Sequence, residues 1–201
     1  MPILIAICGG SGSGKTFLSR ALSLALPQST AILSYDNYYK DQSHLPLMQR
    51  DLLNYDDPSV LDSELFLKHL SLLRRGQAID VPQYDFASHT RKQLTRKFEP
   101  ADIILVEGIM VLQFPKDVYD FTVYVEADPD VRLSRRVKRD ILERGRTVDS
   151  VINQYLTSVK PMHVRYVEPC KNKADFVFVN NESNGIDEEQ MHTLLSRLSR
   201  I

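Results

Sequence analysis

The chain has 201 residues, 43% hydrophobic and 25% charged, with 8 Gly and 10 Pro; this excludes disordered, collagenous and low-complexity classes and suffices for a core that buries about 70% of the unfolded surface. Lys and Arg number 25 against 26 Asp and Glu, a net charge of -1, so no bulk positive field holds a nucleic acid or an anionic membrane, and any anion site is local. The two cysteines, Cys8 and Cys170, form no CxxC pair, which argues against a zinc site or a disulfide framework and for a reducing cytoplasm.

Residues 3–8 (ILIAIC) are apolar, with no cationic segment before them and too few residues for a signal peptide or membrane span, so they read as a buried strand. Helical spacing follows over 15–26, where Phe17, Leu18, Ala21, Leu22 and Ala25 recur at three- and four-residue steps before Pro27. A strand is expected at 31–35. A helix is expected at 62–75, with Asp62 as its cap and Gly76 as its stop. Residues 78–84 and 91–98 read as a smaller extended pair around a polar loop. The densest mid-chain apolar run, 103–106, has the branched residues of a central parallel strand and ends at Glu107-Gly108. A strand over 121–125, helices over 129–143 and 148–167, a strand over Phe176–Val179 and a helix over 187–200 complete the alternation. Such alternation predicts an α/β fold, a parallel sheet with helices on both faces. No repeat, linker or composition break appears, so one domain spanning 1–201 is expected.

Gly9-Gly10-Ser11-Gly12-Ser13-Gly14-Lys15-Thr16 fits GxxxxGK[ST] between a buried strand and an amphipathic helix. Glycines there let successive amides point into one concavity, and the helix adds its positive dipole end. The expected ligand is a nucleoside triphosphate, with Lys15 on the outer phosphates and the Thr16 hydroxyl on Mg2+. A plain glycine-rich turn explains neither Lys15 nor Thr16. The fold expectation sharpens to a P-loop NTPase.

A phosphate cradle does not choose between a kinase, a hydrolase and a nucleotide switch. Asn172-Lys173-Ala174-Asp175 spells NKxD, the guanine-reading motif of GTPases, but it precedes an apolar run instead of following one, and no Asp has Gly three positions later. The switch reading therefore loses support. Asp36 follows the second strand, at the sheet edge that carries the P-loop. A carboxylate there can take the proton of an attacking hydroxyl or hold the metal; with Asn37 it can also simply turn the chain. Glu107, at the end of the central strand, can hold a metal-bound water or cap the next segment. Arg132, Arg135, Arg136 and Arg139 lie near one helix face, with Arg144 and Arg146 beyond. Such a face is usually solvated, yet it also suits a lid that stabilises a moving phosphoryl group.

Together these segments resemble the uridine kinase (uridine-cytidine kinase) family over most of the chain. The resemblance is carried by GGSGSGKT at 9–16, SYDNYYK at 34–40, NYDDPSVLD at 54–62 and YDFASHTR at 84–91, followed by RLSRRVKRDILERGR at 132–146. It implies transfer of the ATP γ-phosphate, with Mg2+, to the 5′-hydroxyl of uridine or cytidine. It makes Asp36 the catalytic carboxylate, Glu107 the carboxylate near Mg2+, and Asp56 the acceptor of the ribose hydroxyls. Tyr84, Phe86 and His89, on a substrate-binding hairpin at 78–98, would recognise the pyrimidine. Arg136 and Arg139 fall on lid residues near the phosphates, Arg144 and Arg146 on the basic end of a lid at 128–146, and Gln154 on a substrate contact. It also implies a homotetramer with a small-molecule nucleoside substrate, and no nucleic-acid or membrane partner. The adenine-facing segment would be 180–185, where the match fades.

One departure stands out. Where the family usually has His after the ribose-binding Asp, this chain has Asp57, which would place two carboxylates beside the sugar and shift the pKa of Asp56. The competing expectations are a sister kinase acting on another alcohol, like phosphoribulokinase or pantothenate kinase, and a nucleotide-binding regulator without turnover. The block at 84–91 argues against the first. Intact Lys15, Thr16, Asp36 and Glu107 argue against the second.

Overall fold

A computed structural model describes residues 1–50, 52–181 and 185–201. The strands are β1 (Ile3–Gly9), β2 (Thr30–Ser34), β3 (Ile79–Asp85), β4 (Thr90–Phe98), β5 (Ile103–Glu107), β6 (Phe121–Glu126) and β7 (Phe176–Val179). The helices are α1 (Lys15–Ala25), α2 (Leu47–Arg50), α3 (Ser63–Arg74), α4 (Pro129–Arg144), α5 (Val148–Gln154), α6 (Lys160–Met162) and α7 (Glu188–Leu198). Five strands form a parallel sheet in the order β2-β5-β1-β6-β7, while β3 and β4 pair antiparallel as a separate hairpin.

The central strand shows why the sheet is covered on both sides. Leu4, Ala6 and Cys8 of β1 face a layer made with Phe66, Leu70 and Leu73 of α3 and Ile79 and Val81 of the hairpin. The intervening Ile5 and Ile7 face Leu18 and Leu22 of α1 and Leu194 and Leu198 of α7. An alternation of two along the strand thus feeds two cores. Leu22 is fully buried, so truncating it to Ala would cost about 2–5 kcal/mol. The hairpin is one-sided: Ile79, Val81 and Tyr84 are buried, while most of β4 up to Phe98 is exposed. Its register shifts between Pro82 and Tyr84, beside a residue with no N–H to give the ladder.

Two expectations are refined. The second strand ends at Ser34, and Tyr35 to Tyr38 tighten into a single 3-10 turn. The cause is aromatic burial: the Tyr35 and Tyr38 rings lie 4.2 and 4.9 Å from the Phe66 ring. The helix expected over 148–167 is one helical run, but π turns at Tyr155–Val159 and His163–Val167 flank α6. Pro161 falls between them; it lacks an N–H and its ring crowds the carbonyl four residues back, so the helix widens locally. Among the described residues no helix is long and apolar enough to cross a membrane.

Candidate active site

The carboxyl end of β1 leads into the glycine-rich segment, and α1 starts at Lys15 with Gly14 in a left-handed conformation, φ 97°. The site's tightness is clearest at two glycines. A Cβ on Gly12 would lie 2.3 Å from the Arg132 carbonyl oxygen, and one on Gly14 would lie 2.1 Å from Asn180 Nδ2. Any other residue would push the loop off α4 or off the Asn180 side chain, whose amide donates to the Ser13 carbonyl at 2.7 Å. Lys15 folds back over the loop, donating from Nζ to the Gly10 carbonyl at 3.0 Å. Burial lowers its pKa, opposed by the nearby charges of Asp36 and Glu107. Gly9, Gly10, Ser11, Gly12, Ser13, Gly14, Lys15 and Thr16 thus make a concavity open at the helix N-terminus, where free amides suit phosphate oxygens.

Glu107 ends β5 beside Ile7 of β1 and Ser34 of β2. It is buried, and its Oε2 has no hydrogen-bond partner. Burial raises its pKa, with the Thr16 hydrogen bond and the Lys15 charge lowering it and Asp36 raising it further. Asp36, in the turn after β2, acts electrostatically on Lys15, Glu107, Asp56 and Arg144, which places it amid all four. Thr16, Glu107 and Asp36 therefore supply hard oxygen donors, including an orphaned buried carboxylate oxygen, and fit Mg2+. Among the described residues no group of three or more His, Cys, Asp and Glu could hold a metal by itself. Mg2+ typically takes one or two carboxylates and completes its shell with phosphate and water, so this donor set and the cradle fit a Mg2+-nucleotide together.

Opposite the cradle lies an aromatic wall. Tyr84 is buried with its ring 4.9 Å from Tyr39 and 5.2 Å from Phe86. His89, at the hairpin tip, has a left-handed backbone, φ 52°, and its ring stacks on Tyr55 at 4.5 Å and 14°. Holding a non-glycine residue there costs on the order of 1 kcal/mol or more, a strain that turn context must outweigh. Arg50 and Arg91 supply that context: Arg50 Nη1 donates to the Ser88 carbonyl, and Arg91 bonds the Tyr38 and Tyr39 carbonyls and the Asp62 carboxylate. Asp56 is raised in pKa by burial, against the pull of Arg136, with Asp36 adding to the rise and a Ser158 hydrogen bond opposing it.

The lid arginines are not a solvated face. Arg132 and Arg136 are buried. Arg132 Nε donates to the Ala127 carbonyl at 3.0 Å; Arg135 Nη1 donates to the Asn180 carbonyl at 2.9 Å. Arg136 reaches Ser11 Oγ and Gln154 Oε1, both at 2.8 Å, and Arg146 also donates to Gln154 Oε1. Gln154 thus ties two lid arginines through its oxygen. Arg139 and Arg144 both turn to the Asp140 carboxylate.

One expectation is corrected. Asp57 does not double the charge beside Asp56: its Oδ1 accepts the Ser59 amide at 2.8 Å and caps the short turn at Pro58–Val60. The Asp-Pro-Ser sequence favours this local Asx geometry, and Asp57 is not among the causes of the Asp56 shift. The NKxD fragment is likewise structural, since Asp175 accepts the Thr122 amide and hydroxyl and pairs with Lys116. Of the segment assigned to adenine, residues 182–184 lie outside the described residues. Sequence reasoning missed Tyr55, Ser158, Asn180 and Asp140. Only Asp140 carried a signal, as an acid four residues from arginines on either side.

Comparison with known proteins matches this geometry to a family. The sequence model of the phosphoribulokinase / uridine kinase family matches residues 4–187. A uridine kinase of Clostridium botulinum (strain Okra / Type B1) is 48% identical over 193 residues, covering 94% of this chain and 94% of that protein. One of Streptococcus gordonii is 43% identical over 200 residues, 98% of this chain and 95% of that protein. Among solved structures, a D-glycerate 3-kinase from Cryptococcus neoformans var. grubii aligns with a TM-score of 0.63 at 18% identity, over 92% of this chain and 88% of that one; this supports the P-loop α/β fold alone. The chain belongs to the phosphoribulokinase / uridine kinase family.

Proposed function

We propose that this chain is a nucleoside kinase that transfers the γ-phosphate of ATP, with Mg2+, to the 5′-hydroxyl of uridine or cytidine, giving UMP or CMP in pyrimidine salvage. The observation that carries the reading is convergence: Lys15, Glu107, Asp36 and Asp56 surround one space between the phosphate cradle and the hairpin's aromatic wall. The uridine kinase relatives support it over nearly their whole length.

When bound, ATP supplies the phosphoryl group and Mg2+ draws off its charge. Gly9 to Thr16 hold the donor, with Lys15 on the outer phosphates. Thr16, Glu107 and Asp36 hold the metal and its waters. Asp36 also takes or orients the proton of the attacking alcohol. Asp56 accepts the two hydroxyls of a ribose diol, which a carboxylate can do with both oxygens. Tyr84, Phe86 and His89 wall the base, while Arg136, Arg139, Arg144, Arg146 and Gln154 close over the phosphates and exclude water.

In this reading residues 1–201 form one P-loop kinase domain, with 78–98 as the substrate hairpin and 128–146 as the lid. The enzyme works in the cytoplasm as a homotetramer, which light scattering would check. The deciding experiment is a coupled assay with Mg2+-ATP across nucleosides, ribulose 5-phosphate and pantothenate, on wild type and Asp36→Asn. Uridine or cytidine should be phosphorylated, and Asp36→Asn should lose at least about a hundredfold in kcat while still binding ATP. Activity confined to a non-nucleoside alcohol would overturn the substrate assignment.

A further inference from the structure

Asp140 sits inside α4 with no exposed surface. Its Oδ1 receives Arg139 Nη2 at 2.8 Å and Nε at 2.9 Å, and lies 3.5 Å from Arg144 Nη1. Its Oδ2 lies 3.5 Å from Arg136 Nε. Helix geometry explains the gathering: residues four before and four after share its face, and Arg139 curls in from the adjacent position. The Asp140 main-chain carbonyl is engaged too. It accepts the Gly145 amide at the helix end and the Arg146 amide at 3.1 Å. One residue thus fixes Arg136, Arg139 and Arg144 by its side chain and Arg146 by its backbone.

A carboxylate taken wholly out of water is stable only when such partners compensate it. The arrangement also restrains the partners. Three guanidiniums within reach of one carboxylate repel one another, and the anion at their centre sets their spacing. The same arginines look onto the reacting space: Arg136 acts on Asp56, Arg139 on Lys15 and Arg144 on Asp36, and Arg136 touches Ser11 of the cradle.

We propose, resting on the kinase reading above, that Asp140 is a positioning residue for phosphoryl transfer: without touching either substrate, it gathers three lid arginines into one rigid cationic face and so controls turnover more than affinity. The three positive charges survive its neutralisation, so the attraction for a triphosphate persists. Their geometry does not survive, and displacing a stabilising group by about 1 Å can cost on the order of a hundredfold in rate.

The test is steady-state kinetics of Asp140→Asn, Arg139→Ala and the double variant, with thermal melts beside them. Asp140→Asn should lower kcat by about ten- to a hundredfold while the KM for ATP stays within about threefold. In the Arg139→Ala background the same change should cost much less, because the arginine it chiefly orders is gone. Independent, multiplying losses, or an unchanged kcat, would overturn the proposal, as would a loss explained wholly by a smaller folded fraction. If Asp140→Asn does not fold, Asp140→Glu decides: it keeps the charge but moves it by one methylene, so a reduced kcat with a near-normal KM supports the role and an unchanged kcat refutes it. The wild-type control separates the two readings. No phosphorylation of uridine or cytidine would defeat the proposed substrate, and the variants would then be read with whichever alcohol the wild type phosphorylates.

Discussion

The guanidinium of Arg144, in the last turn of α4, lies over the ring of Phe86 on the hairpin, its central carbon 5.0 Å from the ring centroid. A cation over an aromatic face is worth about 0.5–2 kcal/mol, more where water is excluded. This contact joins the element that would cover the phosphates to the wall that would hold the base. Arg144→Lys is not conservative here, because an ammonium neither stacks nor forks. Both Arg144→Lys and Phe86→Leu should raise the nucleoside KM by about three- to tenfold. The double variant should fall short of the product of the two effects, and a four-member kinetic cycle would measure the shortfall. Strictly multiplying effects would mean that lid and hairpin act separately.

Glu107 holds a carboxylate oxygen that is buried and without a partner. Its raised pKa means the folded state resists ionisation. The charge is therefore destabilising above the unfolded value near 4.5 and neutral in effect well below it. Glu107→Gln removes that cost, so its melting temperature at pH 7.5 should equal or exceed that of wild type, while activity falls at least about tenfold and the Mg2+ needed for half activity rises. Melts and a Mg2+ titration of rate would check both halves. A variant that is less stable and equally active would show that Glu107 is a structural acid.

The parts of this site that were legible in the sequence are those whose geometry is set locally. The cradle at 9–16 needs only glycine spacing between a strand and a helix, and Asp36 and Glu107 are marked by ending apolar runs that parallel pairing brings to one edge. Asp62 likewise announced its cap, accepting the Leu65 amide at 3.2 Å. What was not legible depends on partners distant in the chain or on a choice between two local geometries. Ser158 meets Asp56 only through the tertiary fold. His89 finds Tyr55 because the hairpin folds back on the segment after α2. The arginine spacing in α4 identifies a face but not that Asp140 draws it inward. Asp57 had two outlets, the sugar or the Ser59 amide, and the nearer donor won.

That choice at Asp57 yields a prediction opposite to the one its sequence position suggests. Asp57→Asn keeps an acceptor for the Ser59 amide and should leave the nucleoside KM within about twofold. Asp57→Ala removes the cap and should cost about 0.5–2 kcal/mol of stability, again with little change in KM. Urea melts and nucleoside kinetics on the two variants would test this. A large KM change in Asp57→Asn would return the carboxylate to the sugar.

His163 lies against the cradle, its Nδ1 3.0 Å from where a Gly10 Cβ would stand, and that nitrogen is buried without a partner. Burial, then the charges of Arg132 and Lys15, lower its pKa to about 4, although Asp56 and Glu168 line the cavities beside it. The unfolded ring takes a proton near pH 6.5 and the folded ring does not until about 4. Below pH 6.5 the unfolded state therefore binds more protons, and stability falls with pH until both forms are protonated. At pH 5 the loss should be on the order of 1 kcal/mol once the ring's partial exposure is discounted. His163→Phe removes this proton-binding difference, so its melting temperature should fall less between pH 7.5 and pH 5 than that of wild type. Parallel pH profiles for the two proteins would show that other groups carry the acid sensitivity.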